Sequence, residues 1–103
     1  MTVTGPLERG RAQFGRKAWG GAYEQLLAAE QETPLGLDDL EQLALAAYLT
    51  GRTSECAEIW ARAHHECLRL GEVARGARCA FWLAFGLLSR GDTSRGEIGR
   101  AHV

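Results

Sequence analysis

The sequence contains few of the residues that build β-sheets and almost no lysine. The chain has only three valines and two isoleucines, compared with 30 leucine and alanine residues. Of its 12 basic residues, 11 are arginine. Because leucine and alanine favour helices whereas β-branched residues favour strands, this balance predicts an all-α chain. The length of 103 residues leaves room for one small domain or a part of a larger one.

A strong charge of one sign and long apolar runs are also missing. The net charge is −1, so the composition indicates neither a nucleic-acid-binding surface nor a polybasic membrane patch. The longest apolar stretch, Cys79–Leu88, is far shorter than the roughly 20 residues of a membrane span. The first residues form neither a basic nor an apolar segment of the kind that begins a secretion signal, so we expect none, and the three cysteines are widely spaced. We therefore expect a cytoplasmic protein with reduced thiols and no membrane contact.

Apolar spacing and helix breakers predict five helices and the start of a sixth. The expected helices are Leu7–Lys17, Trp19–Glu32, Leu37–Thr50, one capped by Thr53 or Ser54 and ending at Leu70, Val73–Arg90, and one starting at Thr93 or Ser94. Pro34, Gly51, Gly71 and Gly91 separate the later helices. Short connections make neighbouring helices antiparallel, so we predict an all-α tandem of antiparallel helix hairpins, an α-solenoid segment of five to six helices.

The predicted hairpins repeat along the chain. Small residues recur as small residues and large apolar ones as large apolar ones at a spacing of 34 residues: Gly10 with Ala44, Ala22 with Cys56, Leu26 with Trp60, and Ala29 with Ala63. A second, shorter repeat relates the segment Gly51–Cys56 to Gly91–Gly96, 40 residues later. Small residues let paired helices approach, and larger ones fill the space to the next hairpin. We expect these eight spaced residues to be the repeat-packing positions.

This pattern resembles the tetratricopeptide repeat, a helix–turn–helix unit of about 34 residues. In the first unit, four residues match that family's Gly, Ala, Ala and Pro positions: Gly10, Ala22, Ala29 and Pro34. Pro6 and Gln13 stand there in place of the usual aromatic residues. In the second unit Leu43, Trp60 and Ala63 match, and Cys56 replaces an alanine. The resemblance implies about two and a half tetratricopeptide-like units.

A second resemblance extends over most of the chain before Gly96. Six segments are similar to the tetratricopeptide-type region of actinobacterial LuxR-family transcription regulators: Arg16–Trp19, Ala22–Glu24, Ala28–Glu30, Leu37–Glu41, Ala46–Arg52 and Ala77–Leu83. In that family a helix-turn-helix domain that binds DNA follows this region. The resemblance implies a non-catalytic interaction or sensor segment that binds a protein or peptide, or a small effector. DNA would be contacted only through a domain outside this chain.

Two other function classes fit the same helical pattern. One is a scaffold made of such repeats without a DNA-binding output. The other is a helical region attached to a signalling enzyme such as a nucleotide cyclase, whose active site would lie outside this chain. The domain that follows Gly96 in the gene distinguishes the three classes.

The last residues, Glu97–Val103, break the helical pattern. Arg100 stands where a sixth helix needs a large apolar side chain. The string from Ile98 to Val103 is also what one reading frame of a common sequencing-library adaptor encodes. We therefore expect residues 1–96 to form the repeat segment and residues 97–103 to be a non-native tail.

No motif for catalysis, metal binding or cofactor binding is present in the sequence. His64, Cys67 and Cys56 can share a helix face, but their spacing is not that of a zinc site. The run Gly10–Ala18 resembles a phosphate-binding loop only loosely, because lysine and a hydroxyl residue do not follow its second glycine. We therefore predict a protein that is not an enzyme, with no catalytic residue, metal or cofactor. Cys79 is expected to be a small buried apolar side chain.

Charged residues cluster at two places in the sequence. Asp38, Asp39 and Glu41 are interpreted as favourable negative charge at the start of the third helix. The basic residues of the first helix are interpreted as a solvated face: Arg9, Arg11, Arg16 and Lys17.

The fifth helix carries the stripe that we single out as a candidate partner surface: Phe81, Trp82, Phe85 and Leu88. One interpretation places these side chains in the core between repeats. The other makes them a groove for a helix or peptide of a partner protein. Both interpretations can hold for different residues of the stripe.

Overall fold

The computed structural model describes residues 5–85, and these form five α-helices. The helices are α1 (Pro6–Gly15), α2 (Trp19–Glu32), α3 (Leu37–Leu49), α4 (Thr53–Leu70) and α5 (73–85). The predicted all-α fold of successive hairpins is confirmed, and α2 and α4 begin 34 residues apart, at Trp19 and Thr53. Four features predicted from the sequence lie outside the described residues: Leu88, the sixth helix, the repeat of Gly51–Cys56 at Gly91–Gly96, and the tail 97–103.

The first four helices stack in order and do not close into a four-helix bundle. Backbone contacts join α1 with α2, α2 with α3, and α3 with α4, and α1 also touches α3. Within residues 5–85, neither α1 nor α2 makes a backbone contact with α4. Glu41 of α3 reaches Arg78 of α5, and seven residues further along both helices Tyr48 contacts Phe85, so α3 and α5 are parallel. The result is a layer of α1, α3 and α5 beside a layer of α2 and α4.

The core lies between the two layers and is built largely from alanine and leucine. All eight repeat-packing residues are buried: Gly10, Ala22, Leu26, Ala29, Ala44, Cys56, Trp60 and Ala63. Gly10 marks a close approach of α1 to α2, because a Cβ atom at this position would lie 2.7 Å from Cγ of Leu26. Leu7 and Phe14 cover the core from α1.

Three helices end in the same hydrogen-bonding pattern, with a residue in the left-handed conformation after the last turn. These residues are Lys17, Gly51 and Gly71, with φ of 63°, 80° and 74°. In each case the backbone N–H of the next residue donates a hydrogen bond of 2.8 Å to the carbonyl oxygen five residues before it, as Arg52 does to Ala47. The two glycines match the predicted helix ends. Lys17 does not, since this conformation disfavours a side chain, and α1 ends at Gly15 where Lys17 was predicted.

The beginning of α4 also differs from the prediction. Thr53 and Ser54 were expected to cap this helix, but Arg52 is its N-cap residue and no side chain caps it. Thr53 is already helical. The end of α2 agrees with the prediction, because Thr33 before Pro34 is extended, with φ of −150° and ψ of 135°.

We predict that Gly10→Ala lowers the free energy of unfolding by about 1–3 kcal/mol, because the new methyl group overlaps the buried Leu26. Gly20→Ala is the matched control, since no atom lies within 4 Å of a Cβ at this exposed helical position. It should raise stability by about 0.5–1 kcal/mol through helix propensity. Urea unfolding followed by circular dichroism measures both changes. Equal effects of the two substitutions would contradict the close approach of α1 to α2.

Candidate protein-interaction surface

Five aromatic rings from three helices form one cluster, here called the aromatic cluster: Tyr48, Trp60, Phe81, Trp82 and Phe85. Trp82 of α5 stacks on the buried Trp60 of α4, with ring centroids 6.1 Å apart and planes inclined by 13°. Phe81 and Phe85 lie edge-on to Trp82, at 5.6 and 5.9 Å. Because Trp82 packs against the hydrophobic core, it anchors the cluster to the fold.

Three rings of the cluster lie on the surface. Phe81 is 62% exposed, Tyr48 42% and Phe85 41%. Tyr48 meets Phe85 edge-on at 6.3 Å, and Phe85 stacks on Phe81 at 6.5 Å, so the three rings form a row across α3 and α5. The structure therefore divides the predicted stripe, placing Trp82 against the core and Phe81 and Phe85 on the surface.

Tyr48 was not among the candidate surface residues predicted from the sequence. Its spacing from Leu40 and Ala44 places it on the apolar face of the third helix. Its contact with Phe85 follows from the parallel register of α3 and α5. Tyr48 and Phe85 are 37 residues apart, as are Glu41 and Arg78. Two pairs of complementary residues at one spacing are the signal that could have identified the Tyr48 contact from the sequence.

An ion network attaches α5 to α3 beside the aromatic cluster. Glu41 accepts hydrogen bonds from both Arg75 and Arg78, the latter at 2.7 Å. Arg75 also donates to Asp38 at 2.7 Å. These bonds, to Glu41 above all, raise the pKa of the Arg75 guanidinium. The interpretation of Asp38 and Glu41 as N-terminal helix charge is therefore incomplete, because both carboxylates also bind the next helix of their layer.

Similar ion pairs connect the earlier helices of both layers. Arg11 of α1 makes two parallel hydrogen bonds of 2.8 Å to the buried carboxylate of Asp39 in α3. In the other layer, Arg62 of α4 donates to Glu30 of α2 at 2.8 Å. The predicted basic face of α1 is thus only partly solvated, because Arg11 binds Asp39. Paired planar groups of this kind fix the register between neighbouring helices.

A cavity of about 300 Å³ lies where α1 and α3 begin and α2 ends. The Arg11–Asp39 pair forms one wall, and Glu8 and Glu32 add two more carboxylates. Neither histidine nor cysteine lines this cavity. The charged side chains that line the cavity are therefore the Arg11–Asp39 ion pair and two nearby glutamates, Glu8 and Glu32.

The residues weighed as a metal site are placed apart or are engaged with other groups. His64 Nδ1 lies 3.0 Å from the carbonyl oxygen of Gly76, and Cys67 lies against Cys79. Between residues 5 and 85, no three or more His, Cys, Asp or Glu side chains are arranged to hold a metal ion. None of the helices in this part of the chain has the length and apolar character needed to cross a membrane.

Protein-family models, curated proteins and solved structures give no match to this chain. What the surface can bind therefore follows from its own composition. Its centre is a row of aromatic rings, and an arginine–carboxylate network lies beside it. Aromatic side chains within a charged and polar rim are typical of protein–protein interfaces.

We predict that Glu41→Gln loosens α5 without unfolding the rest of the stack, because one charge change weakens two arginine contacts. Amide hydrogen exchange within residues 73–85 should become roughly three- to tenfold faster, while exchange in α1 and α2 stays the same. Glu58→Gln, a substitution at an exposed position of α4, should leave both regions unchanged. Unaltered exchange in α5 of the Glu41→Gln variant would contradict the role of the network.

Proposed function

We propose that this chain is the non-catalytic helical-repeat interaction segment of a LuxR-type bacterial transcription regulator. Its exposed aromatic rings receive an amphipathic helix from a protein or peptide partner. The observation that carries the proposed binding is the row of Tyr48, Phe85 and Phe81 beside the core-anchored Trp82. The regulator assignment rests on the resemblance of the sequence segments described above.

The spacing of the exposed rings supports a helix as the occupant. Their centroids are 6.3 and 6.5 Å apart along the row. Apolar side chains three or four residues apart on a helix are separated by about 5–6 Å, so successive side chains of a partner helix match successive rings. Each ring offers a rigid apolar face, and such rings contribute strongly to binding when a partner removes them from water.

The mechanism of this segment is contact and involves no chemical step. A partner helix lying across α3 and α5 bridges two consecutive hairpins and favours one arrangement of them. A domain linked after α5 is then presented differently with and without the partner. In a LuxR-type regulator that domain is the DNA-binding helix-turn-helix, and the site of action is the cytoplasm.

A selection of displayed helical peptides tests the binding surface. We expect the chain to enrich peptides with apolar residues at positions i, i+3 or i+4, and i+7. Phe81→Ser should reduce their binding at least about tenfold, because Phe81 is the most exposed ring of the row and the loss of an aromatic anchor of this kind costs about 1.4 kcal/mol or more. Leu27→Ser is the control, since Leu27 is exposed on α2 and is not part of the aromatic cluster. Equal binding by the two variants would contradict the proposed surface.

The regulator assignment is tested on the gene and on DNA. We expect a helix-turn-helix domain to be encoded downstream of Gly96, and a cyclase domain there would overturn the assignment. The chain itself should show no specific DNA affinity, because the proposed DNA-reading domain lies outside it and a net charge of −1 gives little attraction to phosphates. A sequence-dependent band shift below about 1 µM protein would contradict this prediction.

A further inference from the structure

Cys67 of α4 and Cys79 of α5 form a buried pair across a helix–helix contact. Their Sγ atoms are 4.0 Å apart, and both side chains are inaccessible to solvent. The two helices are in direct van der Waals contact here, because a Cβ atom on Gly76 would lie 3.4 Å from Cβ of Cys67. We propose that Cys67 and Cys79 are a modification site, at which a small-molecule disulfide converts the two thiols into a bond that staples α5 to α4.

The geometry favours this bond over any other cysteine pairing within the chain. A disulfide needs Cβ atoms about 3.5–4.5 Å apart and sulfur atoms about 2 Å apart. The sulfur atoms, 4.0 Å apart, would have to approach by about 2 Å, and Gly76, one helical turn before Cys79, places no side chain between the helices here. Cys56 lies 11 residues before Cys67 on the same helix, which is roughly 16 Å at the helical rise, so it cannot reach either thiol.

The reaction with oxidised glutathione balances in two exchange steps. One cysteine thiolate attacks a glutathione sulfur, which forms a mixed disulfide and releases one reduced glutathione. The thiolate of the second protein cysteine then attacks the protein sulfur of that mixed disulfide. This step forms the Cys67–Cys79 bond and releases the second glutathione in its reduced form. The two protons lost by the cysteines end on the two glutathione thiols. The protein is oxidised by two electrons and the glutathione disulfide is reduced by two.

Access to the pair depends on α5. Burial raises the pKa of Cys79 to about 12, so its thiolate is scarce while α5 is packed on α4. Oxidation therefore follows a transient opening of α5, and the new bond then prevents further opening. Because α5 carries Phe81, Trp82 and Phe85, the staple would fix most of the aromatic cluster on the stack. It does not depend on which partner that cluster binds.

The test is oxidation of the folded chain by glutathione disulfide, followed by alkylation and trypsin digestion. Each cysteine lies on a separate tryptic peptide, spanning residues 53–62, 63–69 and 79–90. Before alkylation, the intact chain should be about 2 Da lighter than the reduced form. After alkylation and digestion, we expect peptide 63–69 joined to 79–90, with Cys56 alkylated. Cys56→Ala should keep the linkage, and Cys67→Ala or Cys79→Ala should abolish it.

The linked chain should unfold at a temperature roughly 10 °C higher than the reduced chain, and dithiothreitol should reverse the shift. The Glu41→Gln variant should become linked several times faster, because its α5 opens more often. A linkage that forms only after the chain is unfolded in urea would overturn the proposal. So would an equal yield of linkages that involve Cys56. The linkage pattern and its dependence on urea are measured on the wild-type chain, so they decide the proposal even if a variant does not fold.

Discussion

Close approach of helix backbones is the constraint on which the rest of the structure depends. Gly10 of α1 lies against Leu26 of α2, and Gly21 of α2 lies against the Gln13 side chain of α1. Each glycine lets the other helix occupy space that a side chain would otherwise fill. At Gly76, where α5 meets α4, a Cβ atom would make only ordinary van der Waals contact with Cys67, at 3.4 Å. The hairpins of the stack are slender, and the layers lie close enough for a core built largely from alanine and leucine.

Once the hairpins are stacked, polar and aromatic side chains determine how one follows another. Arginine–carboxylate pairs connect α1 to α3, α3 to α5, and α2 to α4. They run between helices of the same layer and so set the offset of each hairpin on the previous one. The aromatic cluster belongs to the same junctions, because its rings come from α3, α4 and α5. A surface of this kind exists only where two hairpins meet, which connects the proposed binding function to the repeat.

The sequence predicted the helices well because helix formation here is governed by local signals. Pro34, Gly51 and Gly71 end helices by backbone geometry alone, and the alanine–leucine periodicity determines the buried faces. Lys17 was missed because a non-glycine residue in the left-handed conformation has no marker in composition. The partners of Asp39 and Glu41 were missed for a different reason. They lie 28 to 37 residues away along the chain, so they depend on the offset between hairpins.

The candidate surface was predicted only in part for the same physical reason. The stripe Phe81, Trp82 and Phe85 is visible in the sequence, but periodicity cannot distinguish a ring that packs on Trp60 from one that remains in water. That distinction depends on the position of α4. Tyr48 joins the surface only because α3 and α5 are parallel. The buried contact of Cys67 with Cys79 likewise depends on how the hairpins stack.

The central claim is that the helices form an open stack, in which α1 contacts α2 and α3 but does not reach α4. Nuclear Overhauser spectroscopy of the folded chain tests this most directly. The account predicts cross-peaks between the rings of Tyr48 and Phe85 and between those of Trp60 and Trp82, with none between side chains of α1 and α4. Cross-peaks joining α1 to α4 would indicate a closed bundle and would contradict the account.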